Sequence, residues 1–262
     1  MREQLFEAIK GHDVEYVDIR LEDLVNTWVI FRGSDLDSIG SSRTRGGIVR
    51  ALYKGGWGYA TFNDLSDLKK QVKEACLTAK LVGSGTTYFA PTEVVVDSIK
   101  AELIKDFRQV PLADKKALME AYNKIVLMYH EKIQTSIVRY ADSFKSVWFA
   151  SSEGTYIEEE VPDVNIYVGA TARDGDVVQK GFEAGGGADG YQSVEGFHEQ
   201  AATAAQKAVE LLSAPPVKGG KYTVITDQIM TGVFTHEAFG HLSESDFVYE
   251  NPQMQELMQL GK

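Results

Sequence analysis

Four short runs of strand-forming residues, 136–140, 146–150, 154–158 and 164–173, follow one another with only a few residues between them. Strands this close in sequence can be joined only as hairpins, because a parallel neighbour needs a crossover of a dozen or more residues. The middle of the chain is therefore expected to be an antiparallel meander. Helical stripes flank it. Pro111 is expected at the first helical position of a segment in which Leu118, Ala121, Ile125, Met128 and Tyr129 share one face. In 198–212, Ala201, Ala204, Ala205, Ala208 and Leu212 do the same, and Pro215-Pro216 ends the helix.

The N-terminal part carries similar signals. Residues 3–10 have a helical pattern, 14–21 and 27–32 read as two strands, and 48–54 with 57–62 form a hairpin about Lys54-Gly55-Gly56. Leu65, Leu68, Val72, Cys76 and Ala79 then lie on one helical stripe, which makes Cys76 a core residue rather than a catalyst. The fold class is α+β, with mixed and antiparallel sheets packed against helices. We expect an N-terminal α+β domain over 1–100, ending near Phe89-Ala90-Pro91, and a second domain over 101–262. The 262 residues suffice for one or two cores. No internal repeat is apparent, and Glu158-Glu159-Glu160 reads as a solvated strand end. Gly185-Gly186-Gly187-Ala188-Asp189-Gly190 satisfies G-x-G-x-x-G, but Tyr191-Gln192-Ser193 intervenes before any helix, so a nucleotide site is not expected. A flexible turn is the simpler reading; the alternative is a bare backbone that a peptide strand could approach.

The chemistry concentrates in His236-Glu237-Ala238-Phe239-Gly240-His241. Neutral imidazole is a good zinc ligand, zinc lowers the pKa of a bound water towards neutrality, and a neighbouring Glu can take its proton. The spacing is one residue longer than His-Glu-x-x-His. On a regular helix an i,i+5 pair diverges by ~140°, against ~40° for i,i+4. Two rings on one ion therefore require a π-type turn or a helix end at 238–240, with Gly240 permitting the departure. The bland reading is two polar histidines at a helix terminus, one capping carbonyls and one in solvent. Residues 222–226 read as a core strand directly before the motif helix, and Asp227 is placed to cap that helix. Glu244, Asp246 and Glu250 follow closely and offer either a third carboxylate ligand or a solvated acidic face. His12, His130 and His198 are isolated, and His198 is expected on a helix surface.

His236 to His241 followed by Glu244 and Asp246 resembles the TldD branch of the TldD/PmbA family of zinc-dependent peptidases. The resemblance extends to Glu15-Tyr16-Val17-Asp18-Ile19-Arg20, Arg45-Gly46-Gly47-Ile48-Val49-Arg50, Gly55-Gly56-Trp57-Gly58-Tyr59-Ala60 and Gly185-Gly186-Gly187, with a looser match in the middle third. It implies a metallopeptidase subunit that hydrolyses unfolded or flexible peptides. His236 and His241 would be zinc ligands and Glu237 the general base, with a related PmbA-type subunit or a second copy as partner. The family's third protein ligand is a Cys in a C-terminal domain, whereas the sole thiol here, Cys76, lies in the other half. The chain accordingly reads as truncated, with an incomplete site and little activity. The alternative is a non-catalytic peptide-binding or assembly subunit of a TldD/PmbA-like complex that keeps a vestigial histidine pair.

A net charge of -11 argues against nucleic acid as partner, since a duplex binder needs a basic stripe to displace counterions. Arg43, Arg45, Arg50 and Lys54, interleaved with Tyr53 and Trp57, read as the polar face of a hairpin. No run approaches the ~18 apolar residues of a membrane span, and the first residues lack a signal-peptide core. With one Cys and no internal disulfide, the cytoplasm is the expected compartment.

Overall fold

The computed structural model describes residues 1–259, which fall into two compact units divided between Ala214 and Pro215. The first unit is built on one seven-stranded sheet. In chain order it comprises α1 (Arg2–Ile9), β1 (Tyr16–Arg32), β2 (Asp35–Tyr53), β3 (Gly56–Phe62), α2 (Leu68–Val82), β4 (Val96–Ile99), α3 (Leu112–Met128), β5 (Ile133–Ser151), β6 (Tyr156–Asp174), β7 (Val177–Gly187) and α4 (His198–Leu211). All strand pairings are antiparallel except β4, which runs parallel beside the start of β6. The class is α+β, as the sequence indicates.

The element order contains a repeat that the sequence does not show. A helix, three consecutive antiparallel strands and a helix (α1 to α2) are followed by the same succession (α3 to α4), and β1 pairs with β5 at the centre. The two ends match in detail. In β3, a Cβ on Gly58 would lie 2.0 Å from the Ala75 carbonyl oxygen and 2.5 Å from the Ala79 nitrogen of α2. In β7, a Cβ on Gly181 would lie 2.2 Å from the Ala204 oxygen and 2.6 Å from the Ala208 nitrogen of α4. Each outer helix thus rests on a strand glycine through two alanines spaced by four, a contact that any side chain on the strand would prevent.

Both helix pairs cover the same face. Val17, Ile19 and Leu21 of β1 enter one apolar cluster with α1 and α2, while Val29 and Phe31 of the same strand enter another with α3 and α4. Their even spacing puts them on one side of the pleat. Cys76 is buried in the first cluster, as expected, and burial pushes its thiol pKa up.

Several expected breaks are absent. The two strands expected over 14–32 are the single β1, those at 136–150 are β5, and those at 154–173 are β6. In β1 the polar stretch is carried by Asp23, 8% exposed, which accepts from Arg43 Nε and Nη2 at 2.8 and 2.7 Å. In β5 the equivalent is Asp142, held by Lys115. The glutamate run lies inside β6, where Glu158 and Glu160 accept from Lys100 at 2.9 and 3.2 Å. Gly185 to Gly187 close β7 and pair with Val164 to Ile166, so they form strand rather than turn. A side chain at Gly185 would strike the Phe197 ring, which accounts for its glycine by packing. Pro111 sits one position before the first helical residue instead of at it. The hairpin about Lys54-Gly55 forms as expected, with positive φ at both residues, 45° and 73°, matching a two-residue primed turn. The connection near residue 100 carries β4 and leads into α3.

The second unit contains α5 (Gln228–Thr235), a π turn over His236–Gly240, a 3-10 turn over His241–Ser243, α6 (Ser245–Glu250) and α7 (Pro252–Leu257). Residues 222–226, expected as a core strand, have no strand pairing among the described residues, so the motif helix follows an irregular segment. Ile229, Met230, Val233 and Phe234 of α5 are exposed. No described helix is long and apolar enough to cross a membrane.

Candidate metal centre

The site begins with a capped helix. The Asp227 side chain accepts from the Met230 amide at 2.8 Å, satisfying a first-turn donor of α5 as the sequence suggests. At the other end, the His236 amide is shared between the Gly232 and Val233 carbonyls. The His241 amide then donates to the His236 carbonyl, an i to i+5 bond that widens the turn.

This widening is what the i,i+5 spacing requires. The imidazole centroids of His236 and His241 lie 4.4 Å apart with their planes at 68°. His236, Glu237 and His241 each offer a ligand atom, and these atoms lie within 4.8 Å of one another. Glu237 Oε2 is 3.9 Å from His241 Nε2. Gly240 has ordinary right-handed helical backbone angles, φ -55° and ψ -57°, so the departure does not depend on glycine's conformational freedom. A Cβ there would come no closer than 3.8 Å to His236 Nδ1, ordinary contact with the ring.

Glu244 has a different place from the third-ligand position considered for it. Its Oε1 lies 2.5 Å from His241 Nδ1, and this hydrogen bond is the main cause raising the His241 pKa. With Nδ1–H donated to the carboxylate, the Nε2 lone pair is free on the side of Glu237 and His236. The i,i+3 spacing of His241 and Glu244 was the available signal for this contact. The Asp246 side chain accepts from its neighbour's amide, Phe247 N, at 2.9 Å, and Glu250 ends α6. Neither belongs to a described group of possible metal donors that includes the histidines. Of the isolated histidines, His130 Nδ1 accepts from the Lys132 amide, and His198 is exposed at the start of α4 with its ring edge-on to Tyr122.

The donor set fits a borderline cation such as zinc: two imidazoles, a carboxylate, and an outer carboxylate that orients one ring. The side chains of Glu237 and His241 are 65% and 45% exposed, so both are open to solvent.

Comparison with known proteins shows similarity to metalloproteases. Residues 17–80 match the family model of PmbA/TldA metallopeptidase domain 1, and residues 105–212 match that of the PmbA/TldA metallopeptidase central domain. A metalloprotease of Synechocystis sp. is 42% identical over 249 residues, covering 95% of this chain and 54% of the relative. A zinc metalloprotease TldD homolog of Saccharolobus solfataricus is 22% identical over 246 residues, covering 92% of this chain and 54% of its own. Among solved structures, TldE from Thermococcus kodakarensis superposes with a TM-score of 0.65 at 15% identity, over 79% of this chain and 47% of that one. The chain spans about half the length of the curated relatives it matches.

Proposed function

Because the chain belongs to the PmbA/TldD metallopeptidase family, we propose that it is a zinc peptidase subunit acting on unfolded or flexible peptides, with His236 and His241 as metal ligands and Glu237 as general base. The supporting observation is the π turn that gathers these three side chains within 4.8 Å. When bound, zinc would supply Lewis acidity that makes water nucleophilic near neutral pH and polarises the scissile carbonyl. The chain's own residues do the rest. Glu244 fixes the His241 tautomer, and Glu237 takes a proton from the attacking water and returns it to the leaving amine.

Among the described residues only two imidazoles join Glu237 at the site, and Cys76 is buried in the core of the first unit. Structural and catalytic zinc sites ordinarily use at least three protein ligands. In this reading the isolated chain binds zinc weakly and turns over little peptide. Assembly with a PmbA-type subunit or a second copy is supported by the likeness to a TldE structure and by the exposed apolar side chains of α5. The cytoplasm is the compartment we assign, on the single buried thiol.

The test joins this chain to the part of the Synechocystis relative that the 249 matched residues leave uncovered, and compares it with the same chimera carrying Glu237→Gln. Zinc retained in both, with cleavage of an unstructured peptide lost only in the variant, is the expected result. Equal, negligible cleavage with peptide still bound would overturn the catalytic assignment in favour of a binding or assembly subunit.

A further inference from the structure

Val138, Tyr140, Val168 and Ala170 point from β5 and β6 into the helix-covered core, so Ile137, Arg139, Tyr167 and Gly169 alternate onto the opposite face of the sheet. A cavity of about 450 Å³ lies there. Gly169 is at its centre, paired with Ile137 of β5 on one side and Phe182 of β7 on the other. Arg139 stands one strand away and two residues along, and Lys180 one strand away on the other side and two residues along in the opposite direction. At ~3.4 Å per residue and ~4.8 Å between strands, each backbone is about 8 Å from Gly169, so both long side chains can extend over it. Arg32, paired with Ile137, closes a third side. A Cβ on Gly169 would lie 2.9 Å from Ile137 Cγ2 and Tyr167 Cε1 and 3.2 Å from the Tyr167 hydroxyl, so glycine keeps the floor open and the phenol oxygen lies beside it.

The lining includes Arg32, Arg139 and Lys180 and no carboxylate, in a chain whose net charge is -11. Arg32 is balanced by Asp37, 3.7 Å away. Arg139 and Lys180 have no acidic partner among the described residues, which leaves two positive charges over one pit. Water solvates such groups without cancelling their charge. The same face of the sheet is arranged differently over β1 and β2, where Arg20 is bridged to Glu22 and Arg50 to Asp18. Thr135, Thr171 and Tyr167 add hydroxyl donors around the two cations.

We propose that this cavity binds a small phosphate monoester, its phosphate over Gly169 between Arg139 and Lys180 and its organic part against Ile137 and the Tyr167 ring. A dianion matches the two unbalanced charges, and the guanidinium fork pairs with two phosphate oxygens at once, which a single carboxylate charge would leave half compensated. The inference involves none of the metal-site residues and does not rest on the peptidase reading.

The test titrates the 262-residue protein with phenyl phosphate, and in parallel with benzoate at matched ionic strength, following amide NMR shifts at about pH 7.5, where a phosphate monoester with a second pKa of about 6 is a dianion. Phenyl phosphate is expected to give saturable shifts clustered on Ile137, Arg139, Gly169, Thr171 and Lys180, at concentrations about tenfold below any response to benzoate. Arg139→Gln and Lys180→Gln, both at exposed positions that leave the core untouched, should each weaken phenyl phosphate about tenfold, the loss of one charge-assisted hydrogen bond. Lys70→Gln removes the same charge from the exposed side of α2 and should leave binding unchanged. Equal responses to the two anions, equal losses in all three variants, or no saturable shift at these residues would overturn the proposal and leave two solvated surface cations.

Discussion

Lys115→Met isolates the cost of leaving a buried carboxylate without its counter-ion. At the 2.5 Å separation in the structure, Coulomb attraction at an effective dielectric of about 20 is worth ~7 kcal/mol, before the desolvation of two ions takes back several kcal/mol each. The net value of the pair is therefore small, but removing one member is not. Asp142 would remain 4% exposed in the native geometry, with only the Tyr140 hydroxyl donating to it among the described residues. The expected loss is about 3–5 kcal/mol, a large part of the ~5–15 kcal/mol typical of a folded domain. With a urea m-value of ~3 kcal/mol/M the midpoint should fall by roughly 1–2 M. The double variant Lys115→Met/Asp142→Leu removes both charges and should recover most of that loss, short of about 1 kcal/mol for the orphaned Tyr140 hydroxyl. A single-variant loss under 1 kcal/mol, or a double variant no more stable than the single, would refute the reasoning.

Gly58→Ala and Gly181→Ala should each destabilise the first unit by about 1–3 kcal/mol or more in urea melts, because each new methyl would sit within 2.2 Å of a helix carbonyl oxygen; losses under 0.5 kcal/mol would show that the helices move away freely. Arg43 beside Asp23 and Arg108 beside Asp106 hold both carboxyls below the usual carboxylate range. Their contribution is full above the unfolded pKa of about 4 and disappears as pH falls through the lower native values. Asp23→Asn should accordingly flatten the fall in stability as pH drops below the unfolded pKa of about 4, and an unchanged slope would remove Asp23 from the account. Glu244→Ala, by freeing His241 Nδ1, should weaken zinc binding roughly ten- to a hundredfold in chelator competition; unaltered affinity would mean that the outer carboxylate does not orient the ring.

Sequence periodicity located α2 and α4 with their buried faces, Val72, Cys76 and Ala79 in the one and Ala201, Ala204, Ala205 and Ala208 in the other; in α3 it found the helix but the wrong stripe, since Met119, Tyr122 and Val126 are buried with Lys115 and Asn123 while Met128 is exposed. It divided β1, β5 and β6 in two for one physical reason. Alternation of apolar residues lapses where buried or half-buried ions replace apolar contacts, at Asp23, Asp142 and Glu158 to Glu160, and these partners lie 20, 27 and about 60 residues away in sequence. The duplicated order of elements was invisible because topology can repeat while side chains diverge. At the site, the histidine spacing itself required a π turn, and the Asp227 cap was readable from position. The pairing of Glu244 with His241 Nδ1 was not singled out, since one carboxylate among several acidic neighbours carries no mark of which ring nitrogen it meets. Residues 222–226 failed as a strand because a strand pattern specifies a face but not a neighbour, and no partner lies beside it among the described residues.

The central claim is that the widened turn after α5 puts two imidazole nitrogens on one zinc ion. X-ray absorption at the zinc edge on the metal-loaded 262-residue protein tests it directly. Scattering from two histidine rings, reduced to one by either His236→Ala or His241→Ala, is the predicted result; a spectrum without imidazole scattering, or one that neither substitution changes, would contradict it.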